Sequence, residues 1–243
     1  EIIDLIYSHN PEKKQANHID RADLLLEFGG NSTPHPDTSL SKNSLLTGGG
    51  KGLTLVSQFN KELKSADSID ILCSFVKWQG IVAIKDALKE FSDKGKRIRV
   101  ITTTYTAATD FKAVEYLSKL AACEVKISYN TTLTRLHAKA FLFYRKNGFS
   151  SAFIGSSNLS RPALSSGLEW NVKVSQYDSK EIWDKASIYF QGYWDDPDFQ
   201  DCKTDQDREK LREALRKERG TRSNAITLID VKSFQVSGMS FMF

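Results

Sequence analysis

The sequence predicts an α/β fold, a mixed β-sheet covered by helices, and three observations carry the prediction. Between Leu53 and Ser128, stretches with apolar residues at helical spacing alternate with short apolar runs, a βαβαβ rhythm. After Asn130 the rhythm changes to strands in close succession around Asn147-Gly148, the strongest short hairpin signal. The first of these strands is apolar on both sides, with Leu136, Ala138, Ala140 and Leu142 on one and Phe141 and Phe143 on the other. That is the pattern of a strand in the middle of a two-layered sheet.

Taken in order, residues 1–52 form a poorly defined N-terminal arm, punctuated by the turn formers Asn31-Ser-Thr-Pro-His-Pro-Asp and Thr47-Gly-Gly-Gly-Lys-Gly. The glycine stretch lacks the G-x-x-x-x-G-K-[ST] spacing of a phosphate-binding loop, so a flexible loop is expected. A helix follows over 53–65, then a buried strand over 68–76. Next comes a helix over 80–94, with Ile81, Ile84, Leu88 and Phe91 on one face. Strand 97–102, helix 110–122 and strand 124–128 complete the alternating part. Strands are expected over 136–144, 150–154 and 168–174. A helix over 179–194 carries an apolar stripe of Ile182, Trp183, Ala186 and Tyr189. A charged helix over 205–219 has a narrow seam of Leu211, Ala214 and Leu215, the mark of a solvated surface helix. The last ten residues, Phe-Gln-Val-Ser-Gly-Met-Ser-Phe-Met-Phe, are too apolar for a free tail; they are expected to pack onto the domain or to lead toward a further module.

Composition narrows the function classes. The 243 residues carry 34 Lys and Arg against 30 Asp and Glu, a formal charge of +4, with 40% hydrophobic residues. Wholesale disorder, collagen-like and coiled-coil classes are excluded. No apolar run approaches the roughly 18–20 residues of a membrane helix. Cys73, Cys123 and Cys202 are odd in number, far apart and without a C-x-x-C pair, as expected of a reducing cytoplasm. The mild basic excess permits an anionic partner without demanding one. The chain starts at Glu1 with no signal-peptide pattern, as a fragment or a trimmed chain would.

The chemistry concentrates in Leu136-His-Ala-Lys-Ala-Phe-Leu-Phe-Tyr, Ala152-Phe-Ile-Gly-Ser-Ser-Asn-Leu-Ser and Gly167-Leu-Glu-Trp-Asn-Val. Residues two apart on a strand share a face, so His137 and Lys139 are expected side by side, as are Ser156 and Asn158 just past the next strand. Gly155 lets the backbone come close to a ligand. Glu169 and Asn171 lie opposite Leu168, Trp170 and Val172 and are expected to face the same cleft. This inventory suits a phosphate diester: Lys139 and Asn158 donate to non-bridging oxygens, Ser156 adds a hydroxyl, and His137 supplies a nucleophilic nitrogen. Glu169 could fix the imidazole tautomer. The site calls for no metal and no cofactor, since fixed donors meet the developing charge. His9, His18 and His35 are scattered through the arm and offer no metal cluster.

The joint spacing resembles the phospholipase D superfamily signature H-x-K-x4-D-x6-G-S-x-N, matched here by His137, Lys139, Gly155, Ser156 and Asn158. Tyr144 stands at the place of the signature aspartate, and the gap from Lys139 to Gly155 is longer, absorbed by the Asn147-Gly148 hairpin. Both departures are similar to the nuclease branch, including BfiI-type endonucleases, where a later glutamate completes the site; Glu169 fits that place. The stretch from Gly155 to Val172 resembles the phospholipase D-like domain at the N-terminus of bacterial DEAD/DEAH helicases and restriction-type ATPases. Ile101-Thr-Thr-Thr-Tyr with Thr109-Asp110 also resembles that group.

The resemblance implies a phospholipase D-like α-β-α sandwich, a mixed sheet flanked by helices on both faces. It spans about Leu53 to Trp194, so the division expected is an arm (1–52), a catalytic domain (53–200) and a C-terminal helix and tail (201–243) leading to a helicase module. It implies a metal-independent phosphodiesterase or endonuclease acting through a phosphohistidine, with His137, Lys139, Asn158 and Glu169 catalytic and Gly155, Ser156 and Asn171 on the substrate. Because the signature occurs once, it implies a homodimer with a shared active site. DNA as the partner, rather than RNA, rests on the resemblance alone. The competing expectations are a catalytically idle module that binds nucleic acid or dimerises for a helicase, and a lipid phosphodiesterase. The first is disfavoured by the retention of five polar groups, the second by the absence of an amphipathic membrane helix.

Overall fold

The structure, a computed structural model, describes residues 27–28, 31–32, 36–48, 53–131, 136–165 and 167–220. The glycine-rich loop past Gly48, the arm histidines and the tail from 221 lie outside the described residues. Strands β1 (Glu27–Phe28) and β2 (Asn31–Ser32) form a two-residue antiparallel ladder of their own. Everything else is organised on one eight-stranded mixed sheet.

In chain order the elements are β3 (Ser44–Leu46), α1 (Leu55–Ser65), β4 (Ser68–Leu72), α2 (Trp78–Asp93), β5 (Ile98–Thr103), α3 (Phe111–Ser118) and β6 (Cys123–Ser128). There follow β7 (Ala140–Tyr144), β8 (Ser151–Gly155), the short α4 (Arg161–Leu164), β9 (Asn171–Ser175), α5 (Lys180–Asp195) and β10 (Phe199–Asp201). Helix α6 occupies 205–220. Across the sheet the order is β10-β6-β5-β4-β7-β8-β9-β3. Strands β4, β5 and β6 are parallel to one another and every other pairing is antiparallel, so the sheet is mixed as expected.

Strand alternation explains the two layers. Ile69 and Ile71 of β4, Ile98 and Val100 of β5, Phe141 and Phe143 of β7 and Phe153 of β8 face one core, closed by α1, α2, α3 and by Leu211 and Leu215 of α6. Leu72, Ile101, Leu142, Ala152 and Val174 face a second core, closed by Trp183 and Phe190 of α5. Strand β7 therefore is apolar on both faces because helices cover both. The α5 stripe differs from the expected one. Trp183 is buried, but Ile182 and Tyr189 are exposed, because the helix turns Phe190 to the sheet instead.

Local chemistry sets the element ends. Thr54 caps α1, its Oγ1 accepting from Ser57 N at 3.2 Å. The Asp110 carboxylate accepts from Trp78 N at 2.9 Å, which starts α2 two residues before the expected Gly80. Helix α3 stops at Ser118 rather than 122, its following turn tightened by Leu120 N to Leu117 O at 3.1 Å.

Two clusters of charged side chains sit in the layers. Asp70 and Arg99 pair through 2.6 and 2.7 Å bonds, and the guanidinium lies 5.0 Å from both the Phe190 and Trp194 rings. Glu62 of α1 is fully buried and pairs with Arg145 and, at 2.9 Å, with Lys173 of β9. Lys173 also donates to Thr38 Oγ1 at 2.8 Å, tying residues 36–46 to the sheet. That segment, part of the expected arm, thus supplies the edge strand β3.

Candidate active site

Ligands of open α/β sheets gather where parallel strands end and the strand order reverses. Here that point is the C-terminal end of β4, flanked by parallel β5 on one side and antiparallel β7 on the other. All the candidate residues fall at this end of the sheet. The expected strand over 136–144 is shorter than the sequence suggests: it begins at Ala140, opposite Leu72, because β4 stops there. Past Leu72 the chain bends toward its neighbours, with Cys73 N donating to Ile101 O at 3.0 Å. His137 and Lys139 therefore precede the strand, and one ladder-like bond persists, Gly155 N to Lys139 O at 3.3 Å.

Freed from strand alternation, these two side chains converge on each other. His137 is exposed and Lys139 is buried. Lys139 Nζ lies 3.0 Å from His137 Nδ1 and 3.2 Å from Nε2, and donates to the His137 carbonyl at 2.6 Å. Nearly equal distances to two nitrogens of one ring place the ammonium against the ring face, out of line with the in-plane lone pairs. Burial lowers the Lys139 pKa from its ordinary value, while the Glu169 carboxylate opposes the shift. Cys73 lies beneath, its thiol pushed up to about 12 by burial.

The Gly155-Ser-Ser-Asn turn supplies the opposite wall. Asn158 is 7% exposed, and its Oδ1 accepts from Phe75 N at 3.2 Å, which leaves its amide N–H groups as the available donors. Ser156 donates to the Glu169 carboxylate, and its oxygen accepts from Trp170 N at 3.1 Å. Gly155 is required here by close approach, since a Cβ would come within 3.0 Å of the Trp170 carbonyl and of Asn171. Asn171 differs from the expectation. It is 3% exposed and donates to Ser157 Oγ at 2.8 Å, so it braces the turn from below while Glu169 stays at the surface. Leu168 and Trp170, on either side of Glu169, are exposed rather than buried.

Tyr144 ends β7 at the far end from His137, roughly 13 Å of strand beyond Ala140. Its ring meets Trp183 edge-on and its hydroxyl is 3.2 Å from Ser187 Oγ. Whatever occupies this position acts on the α5 layer, so a tyrosine there takes nothing from the site. The sequence reading missed Cys73, Phe75 and Ser157, whose roles come from the sheet order. It also missed a cleft of about 330 Å³ beside His137 that Tyr193, Asp196 and Asp198 help to line. Among the described residues no group of three or more His, Cys, Asp or Glu side chains is placed to hold a metal ion. No helix among them is long and apolar enough to cross a membrane.

A family model described as cardiolipin synthase, PLD-like domain, matches residues 59–194, more than half of the chain. No curated protein matches the sequence. Among solved structures, the phosphatidylserine synthase of Haemophilus influenzae is similar with a TM-score of 0.53 at 13% identity, covering 79% of this chain and 46% of its own. NucT from Helicobacter pylori gives a TM-score of 0.46 at 22% identity, over 62% of this chain and 94% of its own. Nuc, a phospholipase D family member from Salmonella typhimurium, gives 0.47 at 15%, over 67% and 100%.

Proposed function

The chain belongs to the PLD-like domain family, and from that premise we propose that it is a phosphodiesterase that cleaves DNA by way of a phosphohistidine. The observation that carries the reading is the Lys139 ammonium set against both ring nitrogens of an exposed His137, with a buried asparagine whose free groups are donors. In the resting site the ammonium rests against the imidazole ring. An entering phosphodiester is the stronger acceptor for a cation and draws Lys139 onto a non-bridging oxygen. The nitrogen of the exposed His137 attacks once the phosphate is in place.

In the reaction proposed, the His137 nitrogen forms a bond to phosphorus as the bond to the leaving oxygen breaks, and a general acid protonates that oxygen. Lys139 and the Asn158 amide take the charge on the non-bridging oxygens. Glu169, held by Ser156, balances the ammonium. Water, deprotonated by the same acid in its basic form, then displaces His137 and restores it. With one histidine of this kind per chain, the acid is assigned to His137 of a second copy across a two-fold axis, and exposed Leu168 and Trp170 offer apolar surface beside the site for that copy. Residues 53–200 are read as the catalytic unit, acting within a helicase or restriction-type protein; that context rests on the Gly155–Val172 stretch.

The test is incubation with plasmid DNA in excess EDTA beside a His137→Ala control. Cleavage that resists EDTA and disappears in the variant supports the reading. Cleavage that needs added Mg2+ and survives the substitution removes it. Tight DNA binding without turnover would favour the idle module instead.

A further inference from the structure

The cleft of about 330 Å³ shares His137 with the candidate site, so whatever reacts there must project one of its substituents toward it. It lies on the α5 side of the sheet, where Phe199 of β10 is directly opposite Ser128 of β6. Leu136, Tyr193 and Phe199 give it an apolar and aromatic lining; Ser128, Asn130, His137, Asp196 and Asp198 supply the polar groups, the two carboxylates among them. It is of a size that suits a small ligand.

The polar groups specify what kind of ligand. Ser128 is 3% exposed, and among the described residues its hydroxyl has no hydrogen-bond partner. It shares a strand face with Lys126, whose ammonium lies over the α5 residue Trp194, so the Ser128 side chain is directed to the cleft side of the sheet. The hydroxyl faces the cleft, where a ligand can bring it a hydrogen-bond partner. Asp196 Oδ1 accepts from Asp198 N at 2.8 Å, which leaves the rest of the two carboxylates as acceptors. Neither is in an ion pair among the described residues. Two negative groups repel a phosphate while Lys139 attracts one. The strand backbone therefore passes on the Lys139 side, and a group that is flat, uncharged and rich in N–H donors enters the cleft.

We propose that this cleft holds the nucleobase adjoining the attacked phosphate and selects bases with exocyclic amino groups, guanine foremost, over thymine. The inference rests on the phosphodiesterase reading and adds to it the base preference. Guanine presents N1–H and N2–H side by side, matching the two oxygens of one carboxylate. Adenine and cytosine present a single amino group, and thymine only its ring N–H. Tyr193 provides a ring for the base to stack on.

The experiment compares two fluorescein-labelled pentanucleotides, all-thymidine and the same with one central guanine, by anisotropy on chains silenced by His137→Ala, with and without Asp198→Ala. The Asp198 side chain is exposed, so folding tolerates its loss; circular dichroism checks this, with Asp196→Asn as second variant. The guanine oligonucleotide is expected to bind about tenfold more tightly to the silenced chain, with the two nearly equal when Asp198 or Asp196 is also replaced. Mapped cleavage of a mixed-sequence strand should show the same bias. Equal binding of both oligonucleotides overturns the base preference and leaves the phosphodiesterase reading standing, whereas binding of neither removes both. If the variants alter the pH profile alike on every substrate without changing any base bias, the carboxylates position His137 and the inference is overturned.

Discussion

Gly80 and Leu159 meet backbone to backbone: a Cβ on Gly80 would come within 3.0 Å of the Leu159 carbonyl and 2.7 Å from Ser160 N. That carbonyl already accepts from Lys77 N at 2.7 Å, and the neighbouring Asn158 is held by Phe75 N. The first turn of α2 thus fixes the asparagine of the candidate site. Gly80→Ala should leave the helix intact, since alanine favours it, yet lower turnover about 100-fold by displacing Asn158. Steady-state rates beside a circular dichroism spectrum check this; unchanged turnover would mean that the turn absorbs the methyl group.

His137→Ala should abolish EDTA-resistant cleavage, whereas Lys139→Ala should reduce turnover by two or more orders of magnitude, the effect of losing one donor to a developing anion. Single-turnover assays with labelled DNA, quenched in alkaline detergent because a phosphohistidine is acid-labile, separate the two. A covalent protein–DNA species in the Lys139 variant but not in the His137 variant is the expected pattern.

The pH dependence follows from Lys139. Burial lowers its pKa below the ordinary 10.5, and the Glu169 charge opposes that shift. Activity that needs the ammonium is full below the lowered value and falls as pH rises through it. Glu169→Gln removes the opposing charge, so the alkaline limb should move to lower pH, while Glu169→Asp should largely restore it. Folding stability carries the opposite sign. The cost of the buried ammonium is present below the lowered pKa and is relieved as pH rises toward 10.5. An alkaline limb that does not respond to Glu169→Gln would detach the carboxylate from Lys139.

A site shared between two copies predicts that His137→Ala chains poison wild-type chains when mixed, beyond simple dilution. Light scattering should give twice the 27.4 kDa chain mass. An active monomer would force the general acid to be sought within one chain.

Glu62→Ala should be among the most damaging changes far from the site. It strands Arg145 and Lys173, both nearly or fully buried, without their anion. A loss of about 3–5 kcal/mol is expected by urea unfolding. Glu62→Leu with Lys173→Met, which removes two of the charges, should recover part of it.

How far the sequence could be read depended on what kind of interaction decides each feature. The order of helices and strands from Leu55 to Asp195 was legible because periodicity reports burial directly, and Asn147-Gly148 fixed the hairpin, where Gly148 adopts φ +81°. The meeting of His137 with Lys139 was legible, since the two are only two residues apart in the chain. Strand ends were not, because β7 starts where its partner β4 stops, a fact held by Leu72 and Ala140 together. Asn171 was misread for a related reason. Its inward turn is set by Ser157, fourteen residues away in the chain. Nor could alternation reveal that α5 turns Phe190 inward in place of Tyr189, since both are aromatic.

The bond from Lys173 to Thr38 bears on how the protein can be dissected. A shortened chain starting at residue 53 keeps every residue of the candidate site and still removes the cap on a hidden cation. It also strips β3 from β9, leaving an unpaired strand edge with Val172 and Trp170 beside it. Such a fragment should precipitate or self-associate where one beginning at residue 36 stays dispersed, so the smallest piece fit for crystallisation or screening is longer than the catalytic signature indicates.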